Sequence, residues 1–292
     1  MDRIEKLSKV LGLGIALLFI LIPNLPIAVQ FGVFGVILVL VGIPHGGIDH
    51  LIHNPEIRPK GLIHFIIRYL LLMSAYGLLW WLLPVAALIA FLGMSAYHFG
   101  QSHFLEQGQL QPKEGLLYLL KGSFFLSVIL FGDWEMTQEI LSPILTVSIP
   151  ETYRMLSMGL LMACSLLAHG WKNRSLNLGD ALDYLILVPI LYFSPLLISF
   201  AVYFGFWHSL PSMLAEYKYL SQLPSFNSPL KFGKQLLPFS GISLIGITAI
   251  LFVGLEFLDS SQLYLLFFVM ISLISLPHIL YMDTFLKEKF QN

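Results

Sequence analysis

The chain has 292 residues, of which 57% are hydrophobic and only 11% are charged, and its formal net charge is −1. A soluble domain usually carries about 25% charged residues, so the composition excludes an ordinary water-soluble domain and predicts a protein of the lipid bilayer. The near-zero net charge argues against an extended nucleic-acid-binding surface, and the single cysteine, Cys164, excludes an internal disulfide or a cluster of thiolate metal ligands.

Ten apolar segments approach or reach the roughly 20 residues that a membrane-spanning helix needs. They cover residues 7–23, 27–44, 62–83, 85–104, 115–131, 154–170, 180–193, 196–217, 236–256 and 262–282. Arg3, Lys6 and Lys9 lie before or at the start of the first, as in a signal peptide, but the apolar run is long and no small-residue cleavage site precedes Pro23, which favours an uncleaved span. The predicted fold class is an all-α polytopic integral membrane protein with about ten transmembrane helices, and residues 1–292 are predicted to form a single helical domain.

Basic residues indicate which side of the membrane each connection faces, because Lys and Arg are enriched in cytoplasmic loops. If ten helices alternate from a cytoplasmic N-terminus, only Arg154 falls on the wrong side. The basic residues on the inner side are Arg58, Lys60, Lys113, Lys121, Lys172, Arg174, Lys218, Lys231, Lys234, Lys287 and Lys289. This pattern predicts cytoplasmic N- and C-termini in a multi-pass protein of the plasma (inner) membrane.

Under this topology all nine histidines lie in the cytoplasmic half of the bilayer. Ionisable side chains inside membrane segments are rare and usually functional. His45, His98 and His208 lie in sequences rich in glycine and aromatic residues on three different predicted helices, and His278 lies near the inner end of the tenth. Imidazole ligands suit iron, copper, zinc and nickel. The histidines therefore predict a transition-metal site in the cytoplasmic half of the domain.

Further polar residues are candidates to support the metal ligands. Asp49 follows His45 by four residues and shares its face if the helix continues, and metal-bound histidines usually donate their second N–H to a carboxylate or carbonyl. Asp49 is therefore a predicted partner of His45. Five residues separate His45 from His50 and His98 from His103, a spacing that turns the second histidine of each pair away on an α-helix. The predicted supporting residues are Asp49, His50, Gln101 and His103, while His53, His64 and His169 are predicted to be interfacial.

Aromatic residues flank the histidine segments and are predicted to line a tunnel for a long apolar substrate: Tyr97, Phe99, Tyr203, Phe206 and Trp207. Two other functions use membrane histidines, namely a metal or proton transporter and a haem-binding electron-transfer protein. A transport path needs polar groups along its whole length, whereas the outer halves of the helices contain little beyond scattered serines. A haem held by two histidines uses only two imidazoles, whereas three or four candidate ligands are predicted to cluster in this chain.

Three motifs occur in this order: Pro44-His45-Gly46-Gly47-Ile48-Asp49-His50, Tyr97-His98-Phe99-Gly100-Gln101 and Phe206-Trp207-His208-Ser209. In order and spacing they resemble the Brp/Blh family of bacterial and archaeal membrane β-carotene 15,15′-dioxygenases. The resemblance implies a mononuclear non-haem Fe(2+) held by histidines at His45, His98 and His208, and cleavage of β-carotene by O₂ into two molecules of retinal. The implied partners are the carotenoid, O₂, the lipid bilayer and a retinal-binding rhodopsin, with no nucleic acid.

The chain departs from the family pattern at one position. A further histidine is expected four residues after His208, but Ser212 stands there. A fourth ligand must then come from elsewhere or be absent, with His278 the first candidate and His103 the second.

Overall fold

The computed structural model describes residues 2–105, 114–171 and 178–289, in which no strand occurs and the regular structure is helical. The all-α prediction is thereby confirmed. The helices are α1 (Asp2–Leu21), α2 (Ile27–Ile37), α3 (Ile43–His45), α4 (Asp49–His53), α5 (Pro59–Leu82), α6 (Pro84–Leu105), α7 (Gly115–Gly132), α8 (Trp134–Leu141), α9 (Glu151–Trp171), α10 (Leu178–Leu182), α11 (Val188–Phe193), α12 (Leu196–Val202), α13 (Leu210–Leu220), α14 (Pro229–Gly254) and α15 (Ser260–Lys289). Three π-helical segments, Leu38–Gly42, Asp183–Leu187 and Tyr203–Ser209, join consecutive α-helices.

Six helical stretches of the described chain are long and apolar enough to cross a membrane. They are Ile27–His53, Pro59–Leu82, Gly115–Gly132, Leu196–Leu220, Pro229–Gly254 and Ser260–Glu288. Helices also form over the other four predicted segments, but the region 178–193 divides into short pieces that carry Asp180 and Asp183. The membrane character is supported, whereas ten spans with both termini cytoplasmic stay a prediction. Lys113, Lys172 and Arg174, which entered that prediction, lie outside the described residues.

The chain forms two compact units, each assembled from separate stretches of sequence. The first unit comprises Met1–Val41, Ser95–Glu139 and Val147–Pro211. The second comprises Gly42–Met94, Ile140–Thr146 and Ser212–Asn292. The single domain expected over residues 1–292 stays a prediction.

In the first unit, two glycines allow α6 and α7 to touch along their backbones. A Cβ atom at Gly100 would overlap the backbone carbonyl of Tyr118, and one at Gly122 would overlap the carbonyl of Ala96. Small residues allow such close approach between membrane helices. The contact fixes the part of α6 that carries His98. Helix α7 also packs against α9 and α11, while α1 and α2 pack against α12.

Lys121 corrects the charge assignment made from sequence, because it lies inside α7 and not in a cytoplasmic connection. Its side chain is fully buried and its Nζ donates a hydrogen bond to Asp180 Oδ1 at 2.7 Å. A buried charge is tolerated when it is paired, and this partner comes from 59 residues further along the chain. His169 is also buried, with Nε2 3.9 Å from Asp180 Oδ2, so its predicted interfacial position is wrong.

In the second unit, a turn of three residues separates α3 from α4 directly after His45. Gly47 in this turn lies against α14, where a Cβ atom would stand 2.6 Å from Ser240 Oγ and 2.9 Å from the carbonyl oxygen of Leu236. A glycine is needed for this close approach. Helices α5 and α15 pack together, and α15 also contacts α4. The turn and its neighbours thus place His45 and Asp49 on separate short helices.

Candidate metal centre

His98 and His208 form a buried pair in the first unit. His98 lies on α6, and His208 lies in the π-helical segment Tyr203–Ser209, a type of helix that often marks functional sites. Their ring centroids are 4.6 Å apart with the planes at 76°. The side chains are 3% and 1% exposed, so the pair is shielded from bulk solvent.

Hydrogen-bond acceptors face the Nδ1 atoms of both rings. Gln101 Oε1 lies 3.3 Å from His98 Nδ1. Ser102 Oγ lies 2.6 Å from His208 Nδ1, and the same hydroxyl donates to the carbonyl oxygen of His98 at 3.4 Å. With its own proton directed there, the hydroxyl accepts from His208. A neutral imidazole carries one N–H, and with that N–H on Nδ1 both histidines would keep the lone pair on Nε2.

His45 and His278 form a second buried pair, in the second unit. Their Nε2 atoms are 2.8 Å apart, and the ring planes meet at 81°. His278 Nδ1 lies 2.8 Å from Asp49 Oδ1. The other oxygen of Asp49 accepts a hydrogen bond from the Tyr69 hydroxyl at 3.1 Å, which anchors the carboxylate to α5.

Asp49 therefore supports a different histidine from the one predicted. The four-residue spacing places Asp49 beside His45 only if the helix continues, and the turn at residues 46–48 interrupts it. The carboxylate instead meets His278, which lies 229 residues further along the chain. The residue type was anticipated, but the turn decides which histidine the carboxylate contacts.

Glu216 was not among the predicted site residues. It lies on α13, is fully buried, and has Oε1 3.5 Å from His45 Nδ1. The signal that could have found it is its position inside the predicted span 196–217, because acidic side chains are costly within membrane segments and usually have a function.

His45 in the second unit and His98 and His208 in the first are buried, and each could offer one ring nitrogen to a metal ion. The donor set fits a transition metal, since imidazole suits iron, copper, zinc and nickel. In the first unit, acceptors at Nδ1 leave the Nε2 lone pairs of His98 and His208 for a ligand. Supporting groups of this kind accompany most metal-binding histidines.

The other predicted histidines have different surroundings. His103 has Nδ1 3.1 Å from Asp183 Oδ2 and Nε2 3.0 Å from the Tyr203 hydroxyl. The ring of His50 lies 4.6 Å from that of Phe239. His53 and His64 are exposed, as an interfacial position requires.

The five predicted tunnel aromatics all belong to the first unit. Phe99 is nearest to a candidate ligand, with its ring centroid 4.7 Å from that of His208. Trp207 donates a hydrogen bond from Nε1 to Asp183 Oδ1 at 2.8 Å, and Phe206 packs against Gly12 of α1. Gln101 Nε2 donates to the Tyr97 hydroxyl at 3.3 Å. The tunnel itself stays a prediction.

Comparison with known proteins agrees with the resemblance seen in the motifs. A family model described as beta-carotene 15,15′-dioxygenase matches residues 36–286. A beta-carotene 15,15′-dioxygenase of uncultured marine bacterium 66A03 is 25% identical over 257 residues, which cover 85% of this chain and 90% of the relative. A probable beta-carotene 15,15′-dioxygenase Blh of Halobacterium salinarum is 25% identical over 197 residues, covering 59% of this chain and 57% of that protein. No solved structure matches the chain.

Proposed function

Since the chain belongs to the β-carotene 15,15′-dioxygenase family, we propose that it is an iron-dependent membrane enzyme that cleaves β-carotene, or a related carotenoid, at the central double bond with O₂ to give retinal. The observation that carries the proposal is the burial of His45, His98 and His208, each of which could offer a ring nitrogen to a metal ion. They are the same three residues to which the family resemblance assigns the iron.

We further propose that His278 completes the ligand set in place of the histidine expected at Ser212. Two Nε2 atoms that bind one ion lie close together, and those of His45 and His278 are 2.8 Å apart. His103, the other candidate, has Asp183 and Tyr203 within hydrogen-bond distance of its two ring nitrogens. The geometry of the two residues therefore favours His278.

In this proposal Fe(2+) supplies the activation of O₂, and the chain supplies the ligands and their orientation. Gln101, Ser102 and Asp49 accept the Nδ1 hydrogens of His98, His208 and His278, so that each Nε2 keeps its lone pair. Burial of the histidines keeps bulk water away. Phe99 provides an apolar surface beside His208 that suits a hydrocarbon substrate.

The reaction does not require a general acid or a general base. Cleavage of a carbon–carbon double bond by O₂ places one oxygen atom on each new aldehyde, with no net proton transfer. The substrate is an apolar polyene that dissolves in the bilayer, which suits a chain whose described residues include six helices apolar enough to span it. We place the enzyme in the inner (plasma) membrane, from which retinal passes to lipid or to a retinal-binding rhodopsin.

Expression in bacteria that accumulate β-carotene tests this function. We expect the cells to lose their orange colour and to accumulate retinal, because the substrate reaches the enzyme through the membrane. Carotenoids and retinal are measured by chromatography, with cells carrying the empty vector as the control. Unchanged pigment in cells that contain folded protein would exclude β-carotene as the substrate.

A further inference from the structure

Glu216 is a buried carboxyl group whose surroundings call for an explanation. Its side chain is fully buried in α13, and within the described part of the chain neither carboxyl oxygen has a hydrogen-bond partner. An unsatisfied buried polar group costs free energy, and such groups are uncommon in native structures. His45 faces this carboxyl group, with its Nδ1 3.5 Å from Oε1.

On the opposite side of the His45–His278 pair a carboxylate also faces Nδ1, at a shorter distance. Asp49 Oδ1 stands 2.8 Å from His278 Nδ1, and the two Nε2 atoms stand 2.8 Å from each other. The order along this line is Asp49, His278, His45 and Glu216, all in the second unit. The row therefore ends in a carboxyl group on each side, and its centre is the gap between two Nε2 atoms.

The arrangement bears on which ring nitrogen of each histidine carries the N–H. A carboxyl oxygen at Nδ1 accepts the single N–H of a neutral imidazole, which leaves the lone pair on Nε2. Two lone pairs that face each other at 2.8 Å repel, unless a positive ion lies beside both. An acceptor at each Nδ1 thus prepares both histidines to bind the same metal ion, as outer groups commonly do for metal-ligating histidines.

We propose that Glu216 is the positioning residue of His45, holding its N–H on Nδ1 and directing Nε2 to the metal as Asp49 does for His278. This inference rests on the proposed function, because it takes His45 as a metal ligand. The present separation of 3.5 Å exceeds an ordinary hydrogen bond, so the proposal requires the two side chains to come closer when the metal is bound. Glu216 acts through His45 and does not itself touch substrate.

Co(II) binding to the purified full chain tests the role of Glu216. The protein is stripped of metal with a chelator, and the Co(II) dissociation constant and absorption spectrum are measured for the parent, Glu216→Gln and Glu216→Leu. Loss of a supporting group typically weakens metal binding about 10–100-fold. We expect the larger loss in Glu216→Leu and a smaller one in Glu216→Gln, whose amide oxygen still accepts. Asp49→Asn should resemble Glu216→Gln, and the exposed Glu256→Gln should bind like the parent.

Thermal unfolding of the metal-free proteins separates positioning from a structural role. A buried carboxyl group without a hydrogen-bond partner costs free energy, so metal-free Glu216→Leu should melt at or above the parent temperature while binding Co(II) more weakly. A lower melting temperature with parent-like Co(II) affinity would overturn the inference. If Glu216→Leu does not fold, parent-like affinity in Glu216→Gln would overturn it. Parent-like Co(II) affinity in both variants, together with carotenoid cleavage by the parent, would overturn the inference about Glu216 and leave the proposed function standing. A parent chain that binds no Co(II) would overturn the inference and the proposed function together.

Discussion

His98→Ala is expected to abolish carotenoid cleavage and to weaken metal binding more than 100-fold. Loss of a group that merely supports a ligand already costs about 10–100-fold in metal affinity, and loss of a ligand removes a bond to the ion itself. His98 is 3% exposed, and its ring meets that of His208 at 4.6 Å, so no external group can take its place. The same loss is expected for His45→Ala. Retinal formation in membranes and the metal content of the purified variants measure both effects.

His64→Ala is the matched control for these two variants. His64 is exposed near the start of α5, and its Nδ1 lies 2.8 Å from the backbone carbonyl oxygen of Lys60 one turn earlier. Its removal should leave turnover and metal content unchanged. Equal losses in His64→Ala and His98→Ala would contradict the assignment of the ligands.

Gly122→Ala is expected to disrupt the first unit. The added methyl group would overlap the carbonyl of Ala96 and crowd the backbone nitrogen of Gly100, so α6 and α7 must separate. Overpacking costs about 1–3 kcal/mol and occasionally more, and here the clash is with backbone, which cannot rotate away. The variant should therefore unfold at a markedly lower temperature in detergent and lose metal, because α6 carries His98. Unfolding followed by circular dichroism measures the change.

Gly93→Ala, on α6, provides the comparison. A Cβ atom at Gly93 meets nothing within 4 Å. Alanine is favoured over glycine in a helix by up to about 1 kcal/mol, so this variant should melt at or slightly above the parent temperature. Equal melting temperatures of Gly122→Ala and Gly93→Ala would show that the close contact between α6 and α7 does not contribute to stability.

The helices were predictable because each apolar segment is bounded by charged residues, proline or glycine. The sequence also singled out His45, His98 and His208, since histidines deep in apolar segments are rare. The π-helical segment Tyr203–Ser209 was not anticipated, because its residues are as apolar as those of an ordinary helix. Whether 180–193 spans the membrane could not be judged from its length alone.

Contacts between residues that are distant in the sequence could not be predicted from the sequence. Asp180 neutralises Lys121, and Asp49 meets His278 instead of His45, because a turn and a second helix decide which groups meet. Glu216 was overlooked for the same reason: its relation to His45, 171 positions earlier in the sequence, depends on how α13 and α3 pack.

The metal content of the purified chain tests the central claim most directly. Elemental analysis and a visible absorption spectrum are measured on protein prepared without added metal. The account predicts about one iron per chain and no haem absorption band, because three buried imidazoles and His278 are proposed to hold a single ion. Protein that is folded but contains no transition metal, or that shows the spectrum of bound haem, would contradict it.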